Sequence, residues 1–325
     1  MSAEIHQLDQ IARNSGCAFE QSWVDEIRIN RSAVERRIAS HSARRSVKKQ
    51  WQIAWLLKAI SLIDLTTLSG DDTPGRVRRL CAKAKHPVRD DILEGLGADN
   101  LKLTTGAVCV YHEMVPVAVD ALRGSGIPVA AVSTGFPAGL SPLKIRIAEI
   151  KESVAAGADE IDIVISRRHV LTSNWQALYD EMRAFREACG EAHVKAILAT
   201  GQLGSLTKVA KASMVCMMAG ADFIKTSTGM EAVNATLPVS LIMLRLIREY
   251  HARTGYKIGF KPAGGVGSAK LALTYLMLVK EELGNDWLDP SLFRFGASSL
   301  LGDIERQLEH QASGRYSAAN RHPQG

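Results

Sequence analysis

Features that would assign the chain quickly are missing from it. The five cysteines (Cys17, Cys81, Cys109, Cys189 and Cys216) are scattered, odd in number and never spaced CxxC. That excludes a zinc ribbon, argues against a disulfide scaffold and fits reduced thiols in a cytoplasmic protein. The nine histidines form no HxxxH or HExxH pair, so neither a metal nor another cofactor is expected. The longest apolar run, 215–221, is about seven residues, far short of the roughly 20 that a membrane helix needs. Glu4 and Asp9 near the start, with no hydrophobic segment after them, argue against a secretory signal.

Of the 325 residues, 46% are hydrophobic and 23% charged, which suits a globular enzyme-sized chain. The net charge of +6 is local, because residues 31–49 hold seven basic side chains against Glu35 alone. Such a stretch could dock RNA or an acidic partner. Aromatic residues do not alternate with its charges, as base stacking would require, so a solvated helix face is preferred and a nucleic-acid partner is not expected.

From about residue 52, β-branched runs alternate with segments of helical period. The predicted strands are 59–65, 106–111, 128–136, 160–166, 194–200, 223–229, 258–264 and 292–298. Between them, Ser141-Pro142 reads as a cap with proline opening a helix. Leu143, Ile147, Ile150 and Val154 then share one face, and Gly157 ends it. This alternation predicts an α/β fold with a parallel sheet, a (β/α)8 TIM barrel over 51–312. A doubly wound sheet is the alternative, but no GxGxxG follows an early strand. Residues 1–50 read as a basic helical extension and 313–325 as a polar tail.

Function in such barrels sits where strands pass into the following loops. Two predicted strands there carry a lysine within an apolar run: Phe223-Ile224-Lys225-Thr226-Ser227-Thr228-Gly229 and Gly259-Phe260-Lys261-Pro262-Ala263-Gly264-Gly265. Adjacent strands lie about 4.8 Å apart. If both lysines face the mouth, burial and the like charge lower one amine's pKa. An amine tuned to roughly 7–8 can be neutral and attack a carbonyl to form a Schiff base. Asp162, between isoleucines in strand four, needs a charged partner and could relay protons or merely form an interior salt bridge. Asp159 and Glu160 read as outward or helix-end charges. Gly264-Gly265 and Ser298-Ser299 resemble the backbone and hydroxyl donors of a phosphate site. Asp64, Thr66 and Thr228 are candidate mouth residues. Cys109 reads foremost as a small core hydrophobe and counts among the lining candidates only by its strand position.

Together the segments IDLTTL, CVY, GADEIDIVI, ATGQL, GADFIKTSTG, VNAT, GFKPAGGV and FGASSLL make residues 60–312 resemble the deoxyribose-phosphate aldolases, and in particular the longer, animal-type members. The resemblance implies reversible cleavage of 2-deoxy-D-ribose 5-phosphate to acetaldehyde and D-glyceraldehyde 3-phosphate, in deoxyribonucleoside catabolism and without a metal. It implies that Lys225 forms the Schiff base, that Lys261 perturbs that amine and that Asp162 relays protons with a water. It also implies that Gly264, Gly265, Ser298 and Ser299 hold phosphate. Two positions depart from the family: Met230 stands where lysine is usual and Gly267 where arginine is common. Both changes remove a cation near the phosphate, so a weaker preference for the phosphorylated sugar is expected. The rival readings are another imine-forming barrel, such as a transaldolase, and a barrel scaffold acting through residues 31–49. A homo-oligomer, by barrel precedent a dimer, is also expected.

Overall fold

The computed structural model describes residues 12–44, 46–318 and 321–322. Eight strands form one sheet: β1 (Ile63–Thr66), β2 (Ala107–Tyr111), β3 (Val129–Ser133), β4 (Glu160–Val164), β5 (His193–Ile197), β6 (Phe223–Lys225), β7 (Gly259–Lys261) and β8 (Phe295–Ala297). Their order is β7-β6-β5-β4-β3-β2-β1-β8, and each ladder is parallel. Parallel bridges Phe260↔Phe293 and Ala263↔Gly296 bring the two ends together. The sheet therefore closes as a (β/α)8 barrel, and the doubly wound alternative falls away.

The helices before the barrel are α1 (Gln21–Glu26), α2 (Arg31–Ala39), α3 (His41–Arg44) and α4 (Lys49–Ser61). Those around it are α5 (Pro74–Lys85), α6 (Asp90–Gly95), α7 (Val115–Leu122), α8 (Leu143–Ala155), α9 (Arg167–Leu171), α10 (Trp175–Cys189), α11 (Leu206–Met218), α12 (Leu237–Thr254), α13 (Ala269–Leu283) and α14 (Leu300–Ser313). Side-chain caps fix several starts: Thr73, Asn174, Ser205, Thr236 and Ser268 each accept from the backbone N–H three residues on.

Two local expectations need correction. Residues 59–61 belong to α4, and the first strand begins only at Ile63. Leu56, Leu57, Ala59 and Ile60 are buried on one helical face, and a short apolar run does not by itself separate helix from strand. The helix after Ser141 begins at Leu143, with Pro142 in the cap position and no side-chain cap bond.

Most of the apolar core lies between sheet and helices, as a barrel requires. A separate small cluster of Cys109, Ala130 and Val132 sits on the alternate, inward faces of β2 and β3, edged by Leu68, Tyr111 and Phe136. The same interior also carries charged side chains, with Val164, Ile197 and Phe223 in register beside them.

The residues before the barrel are bound to it. Asn14 is buried; its side chain donates to Met217 O (2.7 Å) and Ala221 O (2.9 Å), and its N–H donates to Asp222 (3.0 Å). Asp222 precedes β6, so this anchor lies at the end of the barrel opposite the mouth. Helix α2 packs on α12 and α4 on α13 and α14. Within the basic stretch, Arg31 pairs with Glu35, Arg37 with Glu281 and Glu282, and Arg44 with Glu281, while Arg45 lies outside the described residues. At the other end His322 is buried against Glu309 (2.7 Å) and Glu305 (3.6 Å).

Candidate active site

Register places the two lysines. Lys225 on β6 pairs directly with Lys261 on β7, and Asp162 on β4 pairs with Lys195 on β5. Since neighbours in register share a face, these side chains converge inside the barrel. Lys225 Nζ donates to Asp162 Oδ2 at 2.8 Å, and Lys261 Nζ donates to the same oxygen at 2.7 Å. Lys195 Nζ takes the other oxygen, Oδ1, at 2.9 Å and also bonds Glu160. Lys261 is further bonded to Asp64, which accepts from Arg294 at 2.5 Å. Arg294 reaches on to Glu160 at 3.0 Å.

Four cationic side chains thus surround three carboxylates, all seven of them buried. One positive charge is in excess, and a low-dielectric interior disfavours it. The site where the proton is easiest to lose is Lys225: burial, followed by the charge of Lys261, lowers its pKa despite the opposing pull of Asp162. Lys261 goes the other way. Burial opposes its charge, but Asp162 and Asp64 together overcome burial and raise it. Lys195 is also raised, by Asp162 and Glu160 against burial. Burial pushes Asp162 up, yet Lys195, Lys225 and Lys261 hold it well below the carboxylate range. With Lys225 neutral, three cations balance three anions.

Above this cluster opens a cavity of about 630 Å³. Lys225 lines it, together with Thr66, Thr228, Met230, Gly264, Gly265, Gly267, Ser298 and Ser299. Lys261, Asp162 and Asp64 are fully buried beneath its floor. Gly264 and Gly265 both adopt positive φ (+74° and +79°), and a Cβ on Gly264 would come 2.6 Å from Asn234, so glycine alone fits that turn. At Gly296 a Cβ would stand 2.8 Å from Ala263 and 3.1 Å from Lys261 Cε; its absence leaves a passage for the lysine. Ser299 caps α14 from a helical backbone conformation, with Ser298 just before it. The Thr228 hydroxyl donates to Glu231 (2.7 Å), and Thr66 donates to Asp64 O (2.7 Å).

The mouth thus gathers Lys225, Thr66, Thr228 and the four phosphate candidates, while Asp64, Asp162 and Lys261 lie beneath it. Cys109 is buried with Ala130 and Val132, and burial raises its thiol pKa, so it stays a packed thiol. Glu160 faces inward as a full member of the charge cluster, contrary to the outward placement read from sequence. Lys195 and Arg294 were not singled out at all. The signal that marked Asp162, a charge between apolar residues at strand period, is present at Val194-Lys195-Ala196 and Phe293-Arg294-Phe295.

Comparison with known proteins agrees with this geometry. Residues 58–303 match the family described as DeoC/LacD family aldolase. The chain is 60% identical over 309 residues to deoxyribose-phosphate aldolase of Homo sapiens, covering 94% of this chain and 97% of that protein. It is 61% identical over 305 residues to the Mus musculus protein of the same name, covering 93% and 96%. Among solved structures, one from Toxoplasma gondii superposes with a TM-score of 0.67 at 20% identity, covering 85% of this chain and all of that one. The tetrameric deoxyribose phosphate aldolase of Aeropyrum pernix gives 0.59 at 21%, covering 81% and 98%. A closed parallel barrel, a buried lysine–carboxylate interior and sequence identity along nearly the whole chain lead to one assignment: the chain belongs to the DeoC/LacD family of aldolases.

Proposed function

We propose that this protein cleaves 2-deoxy-D-ribose 5-phosphate reversibly to D-glyceraldehyde 3-phosphate and acetaldehyde, with Lys225 as the imine-forming residue. The observation that carries this reading is the divergence of two lysines on one carboxylate oxygen. Lys225 has its pKa lowered and lines the cavity, while Lys261 has its pKa raised and is sealed below. A nucleophile must lose its proton and be reachable, and the lowered pKa and the cavity position both favour the first.

Neutral Lys225 adds through Nζ to the C1 aldehyde of the open-chain sugar. A proton reaches the carbinolamine oxygen, water leaves, and the protonated imine remains. Loss of the C3 hydroxyl proton and breakage of the C2–C3 bond then release glyceraldehyde 3-phosphate, the bonding pair passing into an enamine on Lys225. Protonation at C2 and hydrolysis free acetaldehyde and the amine. Asp162 bridges both lysines and can pass protons between them and a bound water. Lys261 stays charged and keeps Lys225 from holding its proton. Gly264, Gly265, Ser298 and Ser299 offer backbone and hydroxyl donors to the phosphate, with Thr66 and Thr228 along the sugar.

A cytoplasmic setting suits five free cysteines, and among the described residues no helix is long and apolar enough to cross a membrane. The test is borohydride reduction with 2-deoxyribose 5-phosphate, followed by peptide mass spectrometry. A substrate-derived adduct on Lys225 is expected. An adduct on Lys261 would exchange the lysine roles, and none in folded protein would remove the Schiff-base step.

A further inference from the structure

Cations are missing at two positions of the mouth, Met230 and Gly267, yet a different cation lines it. Arg76 lies in the first turn of α5 and shares the cavity wall with Gly264, Gly265, Ser298 and Ser299. Topology explains the meeting. Strand β1, which leads into α5, pairs with β8, which carries the two serines on its outgoing loop. Residues 230 and 267 approach the same space from the β6 and β7 sides.

The side chain meets two carboxylates. Asp72 is anchored by the Thr67 hydroxyl (2.7 Å) and the Ser69 N–H (3.0 Å), and it faces Arg76 Nε at 3.5 Å. Exposed Asp71 meets Nη1 at 3.3 Å. Neither contact uses Nη2. Asp71 is exposed and holds the guanidinium weakly, and Asp72, though buried, stands 3.5 Å off, whereas a phosphate dianion would take two parallel N–H donors. At position 267 an added Cβ would come within 3.3 Å of Ser299 Oγ, so glycine leaves room beside Ser299 for an arginine from the other side.

Resting on the aldolase reading, we propose that Arg76 is the phosphate-recognising cation of this chain, entering from the β1 side in place of the cations that positions 230 and 267 lack. The preference for a phosphorylated sugar is then retained by relocation of the charge, instead of falling with the two losses.

The test compares wild type with Arg76→Gln, Arg76→Lys and Arg76→Gln/Met230→Lys. It measures the Kd for inorganic phosphate and the kinetics on 2-deoxyribose 5-phosphate and on 2-deoxyribose. Arg76→Gln is expected to raise KM for the phosphosugar roughly tenfold, the size of one charge-assisted hydrogen bond, with kcat much less affected. The preference ratio between the two sugars should fall by the same factor. Phosphate Kd should weaken in parallel, Arg76→Lys should lie between, and Met230→Lys should restore part of the loss. An unmoved ratio and an unmoved phosphate Kd would overturn the proposal. If wild type turns over neither sugar, the aldolase reading fails, while the phosphate affinities of wild type and Arg76→Gln still decide the role of Arg76.

Discussion

At the residue scale, the chemistry reduces to where one proton is most easily lost. Four buried cations against three buried carboxylates make Lys225 the one whose pKa is lowered, so any change in that balance should move its titration. Arg294→Met removes the excess positive charge. Lys225 then keeps its proton more easily, and the acid limb of the kcat/KM pH profile is expected to shift to higher pH. The same substitution leaves Asp64 and Glu160 short of a partner (2.5 and 3.0 Å in the native chain), costing about 3–5 kcal/mol of stability, read from denaturant midpoints. Lys261→Leu should lower kcat by roughly 10²–10⁴ while Lys225 remains available to borohydride trapping at high pH; loss of trapping at every pH would show instead that Lys261 is needed for the fold of the site. The carboxylates also set acid stability. Asp64, Glu160 and Asp162 all have lowered pKa values, their cationic neighbours outweighing burial. The unfolded chain therefore binds more protons near pH 4 (approximately the free carboxylate range). Their stabilisation is fully present above that range and is lost as pH falls through the folded values, which denaturation midpoints between neutral and acidic pH would register.

At the element scale, the strands near the site are short because they hand the backbone over to loops early. Strands β6, β7 and β8 end at Lys225, Lys261 and Ala297, whereas the predicted runs continued to 229, 264 and 298. The extra residues form the mouth: Thr228 bonded to Glu231, and Gly264 and Gly265 at positive φ. Glycine at 296 is part of the same device, since it gives Lys261 its path to Asp162. Gly296→Ala should press on Lys261 Cε and Ala263, lowering kcat and loosening the lysine pair, with a higher Lys225 pKa in the pH profile as the measured sign.

At the scale of the whole molecule, the segment before the barrel behaves as part of its wall. Val34 on α2 is 4% exposed, and Arg37 and Arg44 reach Glu281 on α13. Val34→Asp would bury an unpaired charge and is expected to cost on the order of 3 kcal/mol, while the adduct on Lys225 still forms in the fraction that folds. Two basic side chains committed to Glu281 also leave the 31–49 stretch less free for RNA than its composition suggests. Self-association, expected as a dimer, is measured by light scattering after size exclusion.

The barrel, its strand count, the lysine pair, Asp162 and the glycine–serine mouth were legible in the sequence, because burial on alternating faces and turn chemistry are local and leave a periodic trace. The first strand was misplaced because an apolar run of the length of 59–65 satisfies both helical and extended periods. Glu160, Lys195, Arg294 and Arg76 acquire meaning only through closure. Residues distant along the chain, such as Arg294 and Asp64, meet only when β8 returns beside β1. Which lysine loses its proton more easily is likewise a property of the assembled charge set, since a pKa depends on every charge packed around the group and not on the residues beside it in the chain.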